Sequence, residues 1–168
     1  MVTLNNIVKD LVEDEWREVT IDHGSYLSSK LVDTELILDS SIPEIHPETP
    51  NSHPLLSLYY RSIFDALGEL FREVSTHTES TKRRVKIGLI KDKQILELAW
   101  DGKQLSEQDL RLINDGYLEG MSLGELPYHS GTRRAGYFLN QVGGEVMIEN
   151  FHDGIYVVRN VIKLPIKT

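Results

Sequence analysis

Residues 95–105 read ILELAWDGKQL, and the rest of the chain can be organised around this stretch. An apolar run of strand-forming length stops at Trp100, turns on Asp101-Gly102 and leads into SEQDLRLI, a helical segment that Ser106 would cap. Binding residues often lie in such a loop between a strand and a helix. A carboxylate would suit the end of the strand, but the sequence has a large aromatic residue there. The stretch therefore indicates a binding loop, an altered binding loop, or only a turn.

Hydrophobic periodicity predicts helices and strands on both sides of this stretch. Helices are expected at residues 3–15 (capped by Thr3), 55–76, 106–115 and 135–142 (ended by Gly143-Gly144), and strands at 30–38, 84–90, 94–100, 145–150 and 155–164, the last two joined around His152-Asp153-Gly154. Residues 39–54 predict a long proline-rich loop, and residues 116–134 a glycine-rich irregular segment. This order predicts one α+β domain over residues 1–168, a two-layer sandwich with a mixed sheet and its helices on one face.

Composition excludes several classes of function. The net charge of −8 argues against a nucleic-acid or anionic-membrane partner, and the absence of cysteine excludes disulfides and thiol chemistry. No apolar run approaches the roughly 20 residues of a membrane span, and the acidic, amphipathic N-terminus is unlike a signal peptide. A cytoplasmic protein is therefore expected. The one basic cluster, Lys82-Arg83-Arg84, is predicted to be a solvated loop before a strand.

Three acidic residues follow one flank of the long helix. Asp65, Glu69 and Glu73 recur at i, i+4 and i+8, beside the apolar face. Such a row could hold a divalent cation, or a water near a phosphate. It could equally be a solvated stripe, balanced by Arg61 and Arg72. Spacing alone leaves both interpretations open.

A second candidate is the segment Gly131-Thr132-Arg133-Arg134, which precedes a short helix. Its backbone amides and guanidinium groups could bind an anion. It could also be an ordinary loop with two basic residues. No two histidines have metal-ligand spacing, and no nucleophile signature occurs.

Six segments of the chain form a recognisable series. They are VTLNNIVKDLV, KLVDTELILDSSIPEI, LLSLYYRSIFDALGELFREVSTHT, ILELAWDGKQLSEQDL, SGTRRAGYFLNQVGGEVMIEN and GIYVVRNVIKLPI. Together they resemble the ATP-binding catalytic domain of sensor histidine kinases, in the GHKL ATPase superfamily, over nearly the whole chain. In that family these segments are the opening helix, a strand with its following proline, the asparagine-box helix, the Asp-x-Gly-x-Gly segment, the second glycine box and the final strand. The resemblance implies a nucleotide lid at about residues 116–134.

The resemblance assigns roles to several residues of the site, but some of these residues differ in type from those that the family uses. The asparagine that holds magnesium corresponds to Glu73, the implied metal ligand, and Glu69 lies where related ATPases have a catalytic glutamate. The aspartate that reads the adenine amino group corresponds to Trp100, which cannot accept that hydrogen bond and whose ring could fill the adenine pocket. The adjacent Asp101 would point to the other side of the strand. Gly102 is kept.

The second glycine box is also altered. Its Gly-Leu-Gly-Leu core corresponds to Arg134-Ala135-Gly136-Tyr137, and Gly131, Thr132, Arg133 and Gly136 are the implied phosphate-side residues. The chain before the first helix is too short for the dimerising hairpin that carries the phosphorylated histidine, so autophosphorylation by the usual route is not expected.

The resemblance, taken together with these altered residues, implies a pseudo-ATPase. Such a domain would be kept as a regulatory module that binds a kinase, a response regulator or a second copy of itself. No cofactor is then expected. The alternative is a divergent domain that still binds magnesium and ATP, with Glu69 activating a water or hydroxyl, Glu73 holding the metal, and Arg133 or Arg134 meeting the phosphates. A third possibility is a fragment of a longer sensor protein with a structural or dimerising role.

Overall fold

The structure, a computed structural model, describes residues 3–21, 33–39, 54–91, 93–114 and 130–165. Its helices are α1 (Leu4–Ile21), α2 (Pro54–His77), α3 (Glu107–Asn114) and α4 (Ser130–Asn140), and its strands are β1 (Asp33–Ile37), β2 (Lys82–Ile90), β3 (Lys93–Trp100), β4 (Glu145–Asp153) and β5 (Tyr156–Pro165). This content confirms the α+β class. Most of the predicted proline-rich loop, 40–53, and most of the predicted lid, 116–129, lie outside the described residues.

The N-terminal helix begins where its cap predicts. The Thr3 hydroxyl accepts a hydrogen bond from the Asn6 N–H at 3.1 Å, which satisfies one of the donors of the first turn. The predicted apolar face is buried at Leu4, Ile7, Val8 and Leu11. The helix runs to Ile21, beyond the predicted end at residue 15, because Arg17 and Glu18 are good helix formers and no glycine or proline interrupts residues 16–21.

The central helix, α2, is the longest element of the described chain, with 24 residues. It begins at Pro54, a residue suited to a first helical turn because proline has no N–H to leave unsatisfied. Its predicted apolar face is buried at Tyr59, Ile63, Leu67, Leu70 and Val74. This face packs on the sheet, so the side chains on its flanks are placed beside neighbouring helices.

The sheet has five strands in the order β1-β2-β3-β5-β4. β1 runs parallel to β2, and the other neighbours are antiparallel. The prediction of a solvated loop at Lys82-Arg83-Arg84 is wrong, because all three residues belong to β2 and pair with β1. Arg83 is only 1% exposed: its guanidinium lies 4.3 Å from the Phe71 ring centroid, and its Nε donates to Thr34 Oγ1 at 2.7 Å. β2 is therefore longer than its apolar run, because its first residues pair with β1, which is distant in sequence.

The last helix begins earlier than predicted. α4 starts at Ser130, so the segment from Gly131 to Arg134 forms its first turns and is not a loop. Its end is confirmed: Gly143 has a φ of 75°, and the Gly144 N–H returns to the Leu139 carbonyl at 2.8 Å. The tight turn of the closing hairpin is displaced from the prediction, since β4 continues through Asp153 and the turn lies at Gly154-Ile155.

The two faces of the sheet have different chemistry. Apolar side chains on one face, such as Leu96 and Leu98, join the helices in one core. On the other face Glu97 accepts hydrogen bonds from Arg84 at 2.7 Å and from Arg159 at 2.8 Å. This arrangement confirms a two-layer sandwich with helices on one face. None of the helices in the described ranges has the length and apolar content needed to cross a membrane.

Candidate functional site

The centre of the candidate site is the contact between α2 and the start of α4. Glu73 on α2 is 4% exposed, and its Oε2 accepts a hydrogen bond from the Gly131 N–H at 3.0 Å. A Cβ at position 131 would lie 2.5 Å from that oxygen and 3.0 Å from the Glu69 carbonyl oxygen. Only glycine permits this approach. The first N–H groups of a helix have no partner within the helix and attract negative charge, so the Glu73 carboxylate takes the position of an anion at the α4 N-terminus.

The neighbouring acid, Glu69, joins the same two helices. Its Oε2 accepts from Arg134 Nε at 3.0 Å, and its Oε1 from an Arg72 terminal nitrogen at 3.1 Å. The Glu69 side chain is 18% exposed, whereas Arg134 and Arg72 are 44% and 64% exposed. Glu69 and Glu73 are therefore not a solvated stripe, because each bonds to α4.

Within the described residues, no group of three His, Cys, Asp or Glu side chains is arranged to hold a metal ion. Asp65, the third acid of the row, is half-buried one turn before Glu69. The implied role of Glu73 as a magnesium ligand stays a prediction.

The other residues predicted in the second glycine box lie along α4. Thr132 is buried, and its hydroxyl donates to the Asn160 Oδ1 on β5 at 3.2 Å, which ties α4 to the sheet. Burial lowers the pKa of the half-buried Arg133. A Cβ at Gly136 would make only an ordinary contact of 3.6 Å with Val146. This glycine is therefore not required by packing.

Trp100 lies in the hydrophobic core. It is 2% exposed and is the largest of the fully buried side chains in the described part of the chain. It ends β3, where it pairs with Arg83 on β2 and with Val158 on β5. Its indole can only donate hydrogen bonds, so it gives the end of β3 apolar volume and no hydrogen-bond acceptor.

Asp101 points away from Trp100 and binds the segment between α2 and β2. One of its oxygens accepts from the Ser80 hydroxyl at 2.9 Å and from the N–H groups of Thr81 and Lys82 at 2.8 and 2.9 Å. The other oxygen accepts from the Thr81 hydroxyl at 2.9 Å. Partial burial alone would raise the pKa of Asp101, but these hydrogen bonds outweigh it and lower that pKa. Gly102 then turns the chain with a φ of 111°. Asp101 and Gly102 thus form the turn that follows β3.

Comparisons with known proteins identify this architecture. No protein-family model matches the chain, and no curated protein matches its sequence. Solved structures do match. The ATP-binding domain of PrrB from Mycobacterium tuberculosis is 13% identical, with a TM-score of 0.63, and the match covers 99% of this chain and 96% of that one. The catalytic domain of histidine kinase ThkA is 12% identical, with a TM-score of 0.63 and coverage of 99% and 96%. Histidine kinase AdeS from Acinetobacter baumannii is 15% identical, with a TM-score of 0.60 and coverage of 99% and 66%.

The chain has the histidine-kinase catalytic-domain fold. At these identities the likeness shows the fold and not the activity. Within the histidine-kinase fold of this chain, the predicted residues fall into two groups. Glu69, Glu73 and Gly131 meet between α2 and α4, and Trp100 to Gly102 lie at the end of β3.

Sequence reasoning missed the partners of these residues. Ser80 and Thr81 donate hydrogen bonds to Asp101, and Asn160 accepts one from Thr132. A signal existed for the first: a Ser-Thr pair directly before a strand can bind a nearby carboxylate. Nothing local pointed to Asn160, which follows Arg159 in the middle of a largely apolar strand.

Proposed function

We propose that this chain is a regulatory module with a histidine-kinase fold that does not turn over ATP in the normal way and acts by binding a signalling protein. The observation that carries this proposal is the hydrogen bond between the Glu73 carboxylate and the Gly131 N–H, at 3.0 Å. An internal anion is bound at the helix N-terminus that would otherwise be available to a phosphate.

The electrostatics of this arrangement oppose a nucleotide. A phosphate at the start of α4 would lie close to the Glu73 carboxylate, and two like charges about 4 Å apart repel by roughly 4 kcal/mol at an effective dielectric constant of about 20. Displacing the carboxylate would instead cost its hydrogen bond with Gly131. Either route weakens binding of a nucleotide.

The base side of the pocket supports the same proposal. A buried Trp100 offers no acceptor for an adenine amino group, and the neighbouring Asp101 is bound to Ser80, Thr81 and Lys82. A protein that loses a polar acceptor for its ligand loses discrimination as well as affinity. The partner we propose is a kinase, a response regulator or a second copy of this chain.

The alternative is a divergent magnesium–ATP-binding domain of a two-component kinase. One observation favours it: Glu69, Glu73 and Arg134 are gathered at one helix contact, which is where phosphate-side groups would be needed. In this version α4 moves away from α2 when nucleotide binds, and the Arg134–Glu69 and Gly131–Glu73 bonds are exchanged for contacts with the phosphates and magnesium.

The test is calorimetric titration of the pure protein with ATP and ADP, with and without magnesium. Trp100 fluorescence is followed in parallel in a Trp16→Phe background, because the chain has two tryptophans. We expect no binding up to millimolar concentrations, equivalent to about 4 kcal/mol of affinity or less. Magnesium-dependent ATP turnover would overturn the proposal.

The control for the alternative is Glu73→Ala. If wild-type protein binds magnesium–ATP and the variant binds it equally well, Glu73 is not the metal ligand and the alternative is wrong in that form. If binding of magnesium–ATP falls at least about tenfold while binding of ATP without magnesium does not, Glu73 holds the metal.

A further inference from the structure

A cleft lies at the end of the sheet where β1 and β2 begin. It has a volume of about 480 Å³ and is lined by residues 33–35, 82–84 and 153–156. Sites for small molecules commonly have volumes of about 300–1,000 Å³. None of the candidate nucleotide residues lines this cleft, so what binds here does not depend on the proposed function.

Part of the cleft wall is built from charges that already have partners. Arg84 bonds to Asp153 at 2.8 Å and to Glu97 at 2.7 Å, and its guanidinium lies 4.8 Å from the Tyr156 ring centroid. The Tyr156 hydroxyl donates to Glu35 at 3.2 Å. These contacts join the β4–β5 turn to β1 and β2, so the walls of the cleft are held in place.

Two further charges on the cleft are of opposite sign and lie side by side. Asp33 and Lys82 are paired residues of the parallel strands β1 and β2, and both are exposed. Among the described residues, neither side chain forms an ion pair or a hydrogen bond. Neighbouring strands are about 4.8 Å apart. The cleft therefore presents an anionic and a cationic group at a separation that one small zwitterion can span.

The cleft also has an apolar side. Ile155 is 52% exposed at the turn between β4 and β5, and the Tyr156 ring lies next to it in sequence and on the same cleft. Arg83, which is 1% exposed, also lines the cleft. A ligand with charges at one end and hydrocarbon at the other would contact both kinds of wall.

We propose that this cleft binds a free α-amino acid with an apolar side chain. Its carboxylate would bond to Lys82, its ammonium group to Asp33, and its side chain would pack against Ile155 and Tyr156. A free α-amino acid carries both charges on one carbon, as the adjacent Asp33 and Lys82 require, whereas a peptide carries them at opposite ends.

The experiment is a titration of ¹⁵N-labelled protein with each standard L-amino acid in turn, observed by NMR. Apolar amino acids are expected to shift the amide signals of Lys82 and Gly154 saturably and to leave that of Gly143 unchanged. If leucine binds, 3-methylbutylamine lacks its carboxylate and 4-methylpentanoate lacks its ammonium group. Each is expected to bind at least about tenfold more weakly than leucine, because each loses a charge-assisted hydrogen bond.

Matched variants test the two charges. Asp33→Asn and Lys82→Gln are expected to weaken amino-acid binding about tenfold or more, while Lys86→Gln, an exposed lysine of β2 outside the cleft, leaves it unchanged. The proposal is overturned if no amino acid shifts these signals at concentrations up to about 10 mM, an affinity too weak to be specific. It is also overturned if both cleft variants bind like wild type, or if charged amino acids bind better than apolar ones.

Discussion

The Gly131 N–H and the Glu73 carboxylate meet at 3.0 Å across the α2–α4 contact, with no room for a side chain at position 131. This contact joins two residues that are 58 positions apart in sequence. It explains in one place why the acid is buried and why the glycine is needed. Together with the Arg134–Glu69 bond, it holds α4 on α2.

Gly131→Ala is expected to destabilise the protein by about 1–3 kcal/mol, the usual cost of overpacking a well-packed contact. The new methyl group would force Glu73 away from Gly131 and press on the Glu69 carbonyl oxygen. Urea unfolding followed by circular dichroism measures the change. The matched control is Gly136→Ala on the same helix, where a Cβ makes only an ordinary contact and helix propensity should stabilise by about 0.5–1 kcal/mol. Equal effects at both glycines would contradict this account.

Asp101→Asn is expected to destabilise the protein at neutral pH by about 1–3 kcal/mol, because an amide cannot accept all of the hydrogen bonds that the carboxylate accepts. The folded-state pKa of Asp101 is lowered from 3.8, so its contribution to stability is present above that value and is lost as pH falls through the folded pKa. The unfolding free energy, measured between about pH 2 and pH 7, should therefore depend less on pH in the variant than in wild type.

The control for this prediction is Asp33→Asn, which changes an exposed carboxylate with no bonded partner in the described part of the chain. It should leave the unfolding free energy within about 0.5 kcal/mol of wild type. If Asp101→Asn behaves like this control, the carboxylate does not hold the turn between α2 and β2.

Trp100→Ala is expected to cost about 3–5 kcal/mol, because it leaves a large cavity in the core. Trp100→Asp, which restores the acid at the end of β3, should be at least as harmful, since the carboxylate would be buried in an apolar environment. Tyr137→Ala is the control, because Tyr137 is 68% exposed. A stable Trp100→Asp protein that binds ATP would show that the pocket remains and that the indole merely fills it.

Glu97→Gln is expected to destabilise the protein by about 1–3 kcal/mol, because two arginines share this carboxylate on the open face of the sheet. Replacing Glu149 by Gln removes an acid that, in the described part of the chain, bonds to one arginine, Arg159, and is 33% exposed, and should cost less than about 1 kcal/mol. Thermal unfolding of the two variants, followed at low and at high salt, measures both changes in stability. A larger effect at Glu149 would mean that Glu97 does not organise the arginines.

Much of the architecture follows from local signals in the sequence. The period of α2, the caps at Thr3 and Ser106, and the Gly143-Gly144 stop each depend on residues within a turn or two of one another. The apolar run that contains Leu96 and Leu98 likewise predicted a strand. Such signals can be recognised in the sequence alone, because helix and strand periods are properties of neighbouring residues.

The errors arose where distant parts of the chain meet. The start of β2 was misplaced because Arg83 is buried by Thr34, 49 residues away, and by Phe71. The start of α4 was misplaced because its first turn is held by Glu73 and by Asn160. Neither partner can be deduced from the composition of the segment itself.

The sequence by itself determined the elements and their order, since these are matters of residue type and local spacing. Only the tertiary structure decided that Glu73 binds the start of α4, that Trp100 fills the core and that Asp101 holds a turn. The physical reason is that a polar side chain takes whichever partner the packing brings within about 3 Å, and packing depends on the whole chain.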